Sequence, residues 1–232
     1  MFKYSSKKML SKIGELKMSP NQIFVLVACE ESQIEAKAFR ERGFNAFSCD
    51  IQRPACGADL RYQIQGDVTP FLEGQTSFYT MDGVYHEVPR WHLVIAHPPC
   101  TYLCKVGIQH MWSNGVRVPE RYNKMMKARD FFMKCLEAKS GHVAVENPLP
   151  MRLAHLPQPD CFVQPYWYGD PYSKKTLYWL RNLPPLLPEY DMQGYRQFMK
   201  VRRGKYRSRS FEGIARAMAN QWGDVLLIDE SP

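Results

Sequence analysis

The sequence predicts an α/β protein with a doubly wound, mostly parallel sheet. Short, continuous apolar runs are typical of strands that are buried on both faces. These runs alternate with segments whose apolar residues recur at helical spacing, and they end at polar residues or prolines. With 45% hydrophobic and 23% charged residues, the 232-residue chain has the composition of a folded globular protein rather than a disordered or fibrous one.

The first strand–helix–strand unit is predicted near the amino terminus. Residues 23–28 form a continuous apolar run that indicates a buried strand, and residues 29–43 favour a helix that ends at Gly43. Residues 45–49 predict a second strand that leads into Asp50. A unit of this size requires a right-handed crossover, so the two strands should pair in parallel.

Further strands and helices follow in alternation. Residues 91–96 and 142–145 predict two more buried strands, and residues 121–140 between them predict a helix. A final helix is expected over residues 211–222, followed by a short apolar run at residues 225–228. This alternation is the basis for the predicted doubly wound sheet.

One domain is predicted over residues 21–232. A basic arm of residues 1–20 precedes it, and a short proline- and aromatic-rich insert lies around residues 150–207. No apolar run approaches the roughly 20 residues needed to cross a bilayer, so no membrane partner is expected. Seven cysteines at irregular spacing argue against a disulfide framework and favour a reducing, cytoplasmic location.

The formal net charge of +8 favours a polyanionic partner. Residues 200–209 hold six basic side chains, which we call the basic cluster: Lys200, Arg202, Arg203, Lys205, Arg207 and Arg209. A cluster that also contains a tyrosine is typical of a nucleic-acid or phosphate contact. A solvated loop is the alternative interpretation of the same residues.

Polar groups follow the predicted strands, and in an open parallel sheet ligands bind beyond the carboxyl ends of the strands. The residues at these ends are Cys29, Glu30, Glu31 and Ser32; Asp50; His97, Pro98, Pro99 and Cys100; and Glu146 with Asn147. Asp50 can accept hydrogen bonds from both hydroxyls of a ribose, and Asp67 is a second acid that could reach an adenine amino group. These two acids predict a cofactor that carries a nucleoside.

Cys100 is the candidate nucleophile, because two prolines fix the backbone before it and hold the thiol just past a strand. Glu146 ends the next predicted strand and should face it. We expect a thiolate beside a carboxyl group that stays protonated, a pair suited to attack on an electron-poor ring. The alternatives are a buried, unreactive cysteine and a zinc cluster with three neighbours, Cys104, His97 and His110.

Taken in order, these residues resemble the cytosine-5 DNA methyltransferases. The Pro-Pro-Cys sequence at 98–100 and the later Glu146-Asn147 are similar to the family's Pro-Cys nucleophile loop and Glu-Asn-Val segment. Residues 25–39 resemble its cofactor loop, and residues 211–219 its last helix. Residues 168–176 resemble a block with two arginines, whose positions are held here by Lys174 and Thr176.

The resemblance implies a Rossmann-like methyltransferase that uses S-adenosylmethionine to methylate carbon 5 of cytosine in DNA. Cys100 would add to carbon 6, Glu146 would act at N3, Asn147 would hold the Glu146 loop, and Lys174 would lower the pKa of the thiol. A base in duplex DNA would have to be flipped out. The cofactor-binding residues implied are Cys29, Glu30, Glu31, Ser32, Asp50, Ile51, Asp67 and Pro98.

The chain departs from that family in three respects. Tyr172, Lys174 and Thr176 replace the glutamine and both arginines of the later block. The chain's cofactor loop contains no glycine, and only 27 residues, 181–207, stand where the family carries a long target-recognition domain. Short members of this kind resemble phage- or prophage-encoded enzymes of a prokaryotic host, and a protein partner or a further copy could supply target specificity. Two rival functions remain: methylation of a free nucleotide or of RNA, and nucleic-acid binding without catalysis on the same fold.

Overall fold

The computed structural model describes residues 18–190, the backbone of residues 199–200, and residues 210–228. Residues 1–17 of the basic arm and the side chains of the basic cluster therefore lie outside the described residues. Within the described ranges, no helix is both long enough and apolar enough to cross a membrane.

The central element is a sheet whose seven strands lie in the order β6-β7-β5-β4-β1-β2-β3. The strands are β1 (Phe24–Ala28), β2 (Asn45–Asp50), β3 (Gln63–Gln65), β4 (Leu93–Ala96), β5 (His142–Asn147), β6 (Cys161–Val163) and β7 (Thr176–Arg181). Strands β1 to β5 pair in parallel, whereas β7 runs antiparallel to both β5 and β6. The predicted doubly wound, mostly parallel sheet is thus confirmed.

Helices and short strand pairs connect the strands of the sheet. The α-helices are α1 (Ile34–Glu41), α2 (Thr69–Leu72), α3 (Pro119–Leu136) and α4 (Glu212–Ile228). Short 3-10 helices occupy Pro20–Gln22, Leu60–Tyr62, Lys105–Met111, Arg152–Ala154 and Pro165–Tyr168. Three two-stranded pairs lie outside the main sheet: Ser77–Tyr79 with Tyr85–Glu87, Trp112–Ser113 with Val116–Arg117, and Tyr172–Ser173 with Met199–Lys200.

The winding direction of the sheet reverses between β1 and β4. From β1 the chain proceeds outward to β2 and β3, and then returns to place β4 and β5 on the other side of β1. A crevice between the carboxyl ends of neighbouring strands is expected at such a reversal, and ligands of open α/β sheets bind there. The strand order therefore predicts a ligand site at the carboxyl ends of β1 and β4.

Two hydrophobic cores cover the two faces of the sheet. Alternate residues of the strands pack against α3 on one face, through side chains such as Met125, Phe132 and Cys135. The other residues pack against α1 and α4 on the opposite face, through Phe39 of α1 and Met218 and Trp222 of α4. Both faces of the strands are covered, which explains why the strands appear in the sequence as continuous apolar runs.

The helix predicted over residues 121–140 spans Pro119–Leu136, and the boundaries of two other predicted helices also differ from those observed. The helix predicted to begin at residue 29 begins only at Ile34, because Cys29 and Gln33 both adopt left-handed backbone angles, each with φ of 59°. The final helix does not end at residue 222 but continues to Ile228, because Leu226 and Leu227 remain buried on its inner face. In addition, the proline- and aromatic-rich segment contributes β6 and β7 to the main sheet.

Candidate active site

The register of the sheet brings three polar side chains into one row. Ala96 of β4 pairs with Val145 of β5, so the next residues, His97 and Glu146, are neighbours across parallel strands. On the other side, Tyr178 of β7 lies directly opposite Glu146. His97 and Glu146 lie two residues after Ile95 and Ala144, which face α1 and α4, and Tyr178 faces the same helices. The row therefore lies at the carboxyl end of that face.

His97 lies between two carboxylates. Its Nε2 is 2.5 Å from Oε2 of Glu35, which projects from α1 and is completely buried. Its Nδ1 is 3.6 Å from Oε2 of Glu146. The hydroxyl of Ser210, just before α4, donates a hydrogen bond of 2.7 Å to the other oxygen of Glu35. The Glu35–His97–Glu146 cluster therefore joins a helix to two strands.

The surroundings of His97 and Glu146 favour opposite charges on them. Burial alone would lower the pKa of His97, but the charge of Glu35, the hydrogen bond with Glu35 and the nearby carboxylate of Glu146 raise it well above its ordinary value. Burial alone would raise the pKa of Glu146, yet the nearby ring of His97 and the charge of Lys174 lower it. These surroundings favour the carboxylate of Glu146 rather than the protonated carboxyl group expected from the sequence, because Lys174 and His97 stabilise the negative charge.

A pocket opens over this cluster. The empty volume within it, which includes some open solvent, is about 270 Å³. Its lining includes Glu35, His97, Glu146, Lys174, Thr176 and Tyr178. Oε1 of Glu146 is buried and has no hydrogen-bond partner among the described residues. A buried carboxylate oxygen without a partner is costly, so this atom can accept a hydrogen bond from a ligand in the pocket.

Cys100 lies in the loop after β4 and is partly buried. Burial and the charge of Glu146 raise the pKa of its thiol to about 11, although Lys174 opposes this rise. Lys174 thus acts in the predicted direction, but it does not give the thiol a lowered pKa. These surroundings favour the protonated thiol at neutral pH rather than the expected thiolate, because burial outweighs the charge of Lys174.

Glu30 closes the amino end of α1. Its Oε1 accepts a hydrogen bond of 2.7 Å from the backbone N–H of Glu35, and its Oε2 accepts one of 2.7 Å from the hydroxyl of Ser48. The side chain is buried, and burial together with the charge of Glu35 raises its pKa to about 7. Both oxygens of this predicted cofactor-binding residue are therefore engaged within the protein.

The other predicted cofactor-binding residues lie along the same edge of the sheet. Asp50 ends β2 and accepts a hydrogen bond of 2.7 Å from the backbone N–H of Gln52, while burial raises its pKa. The next residue, Ile51, is 73% exposed. Asp67 is exposed and caps the short helix α2 through the backbone N–H of Thr69.

The remaining predicted residues have structural contacts of their own. Pro98 is buried at the start of the Cys100 loop, and Cys29, Glu31 and Ser32 are partly buried in the loop after β1. Asn147 is fully buried and donates a hydrogen bond of 2.6 Å from Nδ2 to the backbone oxygen of Pro148, which fixes the turn after Glu146. The predicted catalytic and cofactor-binding residues thus share one edge of the sheet, whereas the basic cluster falls outside the described residues.

The alternative of a zinc cluster finds no support in this part of the molecule. Nδ1 and Nε2 of His97 face carboxylates, not a pair of cysteines. In the described ranges, no group of three or more His, Cys, Asp or Glu side chains has the arrangement of a metal site.

Sequence reasoning did not identify the role of Glu35 and assigned His97 only to the zinc alternative. Glu35 lies within a predicted amphipathic helix, where a glutamate is usually a solvated residue. A signal was present nevertheless, because Glu35 falls at the helix face occupied by Ala36 and Phe39, both of which are buried. The pairing with His97, 62 residues away, depends on the tertiary fold.

Comparison with known proteins gives similarities to solved structures but none to a family model. No protein-family model matches the sequence, and no curated protein matches it significantly. Among solved structures, one similar chain is provisionally described as a DNA modification methyltransferase encoded within a prophage of E. coli. The similarity has a TM-score of 0.40 and 14% sequence identity, over 68% of this chain and 46% of that chain. The present chain thus spans less than half the length of that protein.

Proposed function

We propose that this protein is an S-adenosylmethionine-dependent methyltransferase that acts on carbon 5 of cytosine in DNA. The observation that carries the proposal is the placement of Cys100 and Glu146. Cys100 lies in the loop after β4, and Glu146 lies near the end of the adjacent parallel strand β5, close enough for the charge of Glu146 to raise the pKa of the thiol. A nucleophile and an acid–base group side by side suit addition to a pyrimidine ring.

The residues of this site would act in a defined order. The thiol of Cys100 would give its proton to water, and its sulfur would bond to carbon 6 of the base as the double bond between carbons 5 and 6 opens. Glu146 would donate a hydrogen bond or a proton at N3. Lys174, which lowers the pKa of the thiol, stabilises the thiolate that attacks. Once carbon 5 holds the methyl group that S-adenosylmethionine would supply, loss of its remaining proton to water, departure of the thiolate and release of any proton gained at N3 would restore the aromatic ring.

The described residues fit the nucleoside half of S-adenosylmethionine. Asp50 would bind the ribose, exposed Ile51 would lie against the adenine, and a side chain at neighbouring Gly66 would meet no atom within 4 Å, so this surface is open. The methionine half would lie along the loop after β1, at Cys29, Glu31 and Ser32. Glu30 already satisfies the first N–H groups of α1, so these groups do not receive the methionine carboxylate. When bound, S-adenosylmethionine supplies the methyl group.

DNA is the proposed macromolecular partner. The net charge of +8 favours a polyanion, and the basic cluster between the two last described segments would contact its phosphates. A cytoplasmic, phage- or prophage-encoded protein of a prokaryote fits this function. A protein partner or a second copy would supply target specificity in place of a recognition domain.

Covalent trapping tests the function. The full chain is incubated with S-adenosylmethionine and, in separate reactions, with duplex DNA, RNA or a free nucleotide that contains 5-fluorocytosine. We expect an adduct with duplex DNA that is abolished by Cys100→Ser and retained by Cys104→Ser. An adduct with the nucleotide or RNA alone would assign the substrate to the rival class. Absence of any adduct, together with no S-adenosylmethionine binding by calorimetry, would favour nucleic-acid binding without catalysis.

A further inference from the structure

The position of His97 is unusual for a buried charged group. Its side chain is 14% exposed and lies between Glu35, at 0%, and Glu146, at 15%. Placing an ion pair in the interior is costly unless its members are mutually paired and hydrogen-bonded. A hydrophobic residue following β4 would fill the same place, as Leu93 and Ile95 do within the strand. A role of this cluster in the reaction would explain why these charged groups are buried together.

The two ring nitrogens of His97 have different partners. Nε2 is held at 2.5 Å by Glu35, whose second oxygen is itself held by Ser210, so this side of the ring is fixed. Nδ1 faces Oε2 of Glu146 at the longer distance of 3.6 Å. Glu146 in turn lines the pocket, and its buried Oε1 has no hydrogen-bond partner among the described residues. The arrangement is a line from Ser210 through Glu35 and His97 to Glu146.

We propose that His97 is a positioning residue that stores the proton Glu146 delivers to the substrate ring. This inference rests on the proposed function, because it assigns a source to the proton that the chemistry at N3 requires. The surroundings of Glu146 favour its carboxylate, so the proton for N3 must come from a neighbouring group, and Nδ1 of His97 is 3.6 Å from Oε2 of Glu146. His97 is the adjacent group that carries such a proton.

The proton transfer balances in charge. Before it, Glu35 and Glu146 are carboxylates and His97 is an imidazolium, so the cluster carries one negative charge. The Nδ1–H bond then breaks, the proton forms an O–H bond with Oε2 of Glu146, and His97 remains neutral with its Nε2–H directed at Glu35. The net charge is unchanged. The gap of 3.6 Å must shorten for this step, as catalytic hydrogen bonds often do when a ligand binds.

The pH dependence of this step reflects all the groups around His97. These groups are Glu35 on α1, Glu30 before α1, Glu146 on β5, Tyr178 on β7, Lys174 before β7, and Cys100 in the loop after β4. Deprotonation of Cys100 favours reaction at higher pH, whereas deprotonation of His97 removes the stored proton. The rate should therefore rise and then fall as the pH increases.

The storage of the proton can be tested without substrate by NMR of the histidine rings in the full chain. His92 serves as an internal control, because it lies at the opposite end of β4 and burial lowers its pKa to about 4. The variants His97→Gln and His92→Gln assign the ring signals. At neutral pH we expect both ring nitrogens of His97 to carry a proton, whereas the neutral ring of His92 carries a proton on one nitrogen only. Glu146→Gln should weaken proton binding by His97 at least tenfold. A neutral His97, or an unchanged titration in Glu146→Gln, would overturn the proposal.

The use of the proton is tested by the rate of adduct formation with 5-fluorocytosine DNA across pH. His97→Gln should slow the reaction on the order of 100-fold, as loss of general acid–base assistance does, and should abolish the fall in rate at high pH. His92→Gln should retain the wild-type profile. A His97→Gln profile of unchanged shape would contradict the proposal. No adduct from the wild type at any pH would defeat the proposed function, and the NMR titration would still decide separately whether His97 holds the proton.

Discussion

The backbone N–H of Glu35 donates a hydrogen bond of 2.7 Å to Oε1 of Glu30, five residues earlier in the chain. A buried side chain thus closes the amino end of α1, and the same turn of helix presents Glu35 to His97. The loop after β1 therefore has a structural task, which is to hold the helix that carries one end of the charged cluster.

This contact makes stability depend on pH. Because the pKa of Glu30 is raised from 4.5 to about 7, the folded state holds this proton more tightly than the unfolded state. Its contribution to stability is present below pH 4.5 and is lost as the pH rises through about 7, a change of about 3 kcal/mol. Glu30→Gln should remove this part of the loss of stability with rising pH. Thermal unfolding of the variant and the wild type from pH 4.5 to 8 measures this difference. If the stability of both proteins changes with pH in the same way, Glu30 is not its source.

A surface glutamate provides the control for that experiment. Glu73 bonds to Lys134 on the exposed side of the molecule and has no contact with α1. Glu73→Gln should leave the shape of the stability curve between pH 4.5 and 8 as it is in the wild type.

Left-handed backbone at Cys29 should be measurable as strain. With φ of 59° there, glycine avoids a conformational cost of roughly 1 kcal/mol that a side chain incurs. Cys29→Gly should therefore be more stable than Cys29→Ala by about that amount, since both variants lack the thiol. Urea unfolding gives the difference. The preceding residue, Ala28, is in extended β1, and Ala28→Gly should instead destabilise the protein. Equal stability of the two Cys29 variants would show that the backbone there is unstrained.

The raised pKa of Cys100 predicts slow alkylation. At pH 8 its reaction with iodoacetamide should lag behind that of exposed Cys56, and the rate should keep rising toward pH 11, as mass spectrometry of the peptides would show. Lys174→Ala should slow the reaction several-fold by removing the cation that lowers this pKa. Lys175→Ala is the matched control, because that ammonium lies over the ring of Phe162 instead. Equal effects of the two substitutions would refute the role of Lys174.

Arg181 at the end of β7 should be important for stability. Its guanidinium donates hydrogen bonds of 2.5 to 3.0 Å to the backbone oxygens of Leu136, Ala138 and Ser140, which lie at the carboxyl end of α3 and in the turn after it. Arg181→Leu should lower the free energy of unfolding by roughly 2–3 kcal/mol, because it leaves these carbonyls without their charged donor. Urea unfolding measures the loss. Arg61→Ala, at an exposed arginine paired with Asp59, should change little.

Much of the sheet could be predicted because its buried strands appear in the sequence as continuous apolar runs. The runs that became β1, β2, β4 and β5 are apolar on both faces, so their identity does not depend on knowing what packs against them. Strands β6 and β7 were not predicted, although residues 176–181 are rich in apolar and aromatic side chains. Their surroundings of proline and tyrosine resemble a loop, and their antiparallel pairing with β5 is a long-range property.

The candidate site could be predicted in position but not in its charges. The strand-end rule located Cys100 and Glu146, because it needs only the order and direction of strands. The protonation states depend on distances to Glu35, His97 and Lys174, which come from three separate elements. Whether Cys100 and Glu146 act as proposed stays a prediction until trapping is measured.

The row formed by His97, Glu146 and Tyr178 has a consequence for how this protein could change. The spacing within that row follows from strand pairing, about 4.8 Å per strand, and does not depend on any loop. Cys100 and Lys174, by contrast, lie in connecting segments. Loops around the pocket could therefore be lengthened, exchanged or redesigned to accept a different base or polymer while the spacing of the acid–base row stays constant. New specificity could be built at the rim of the sheet without rebuilding its interior.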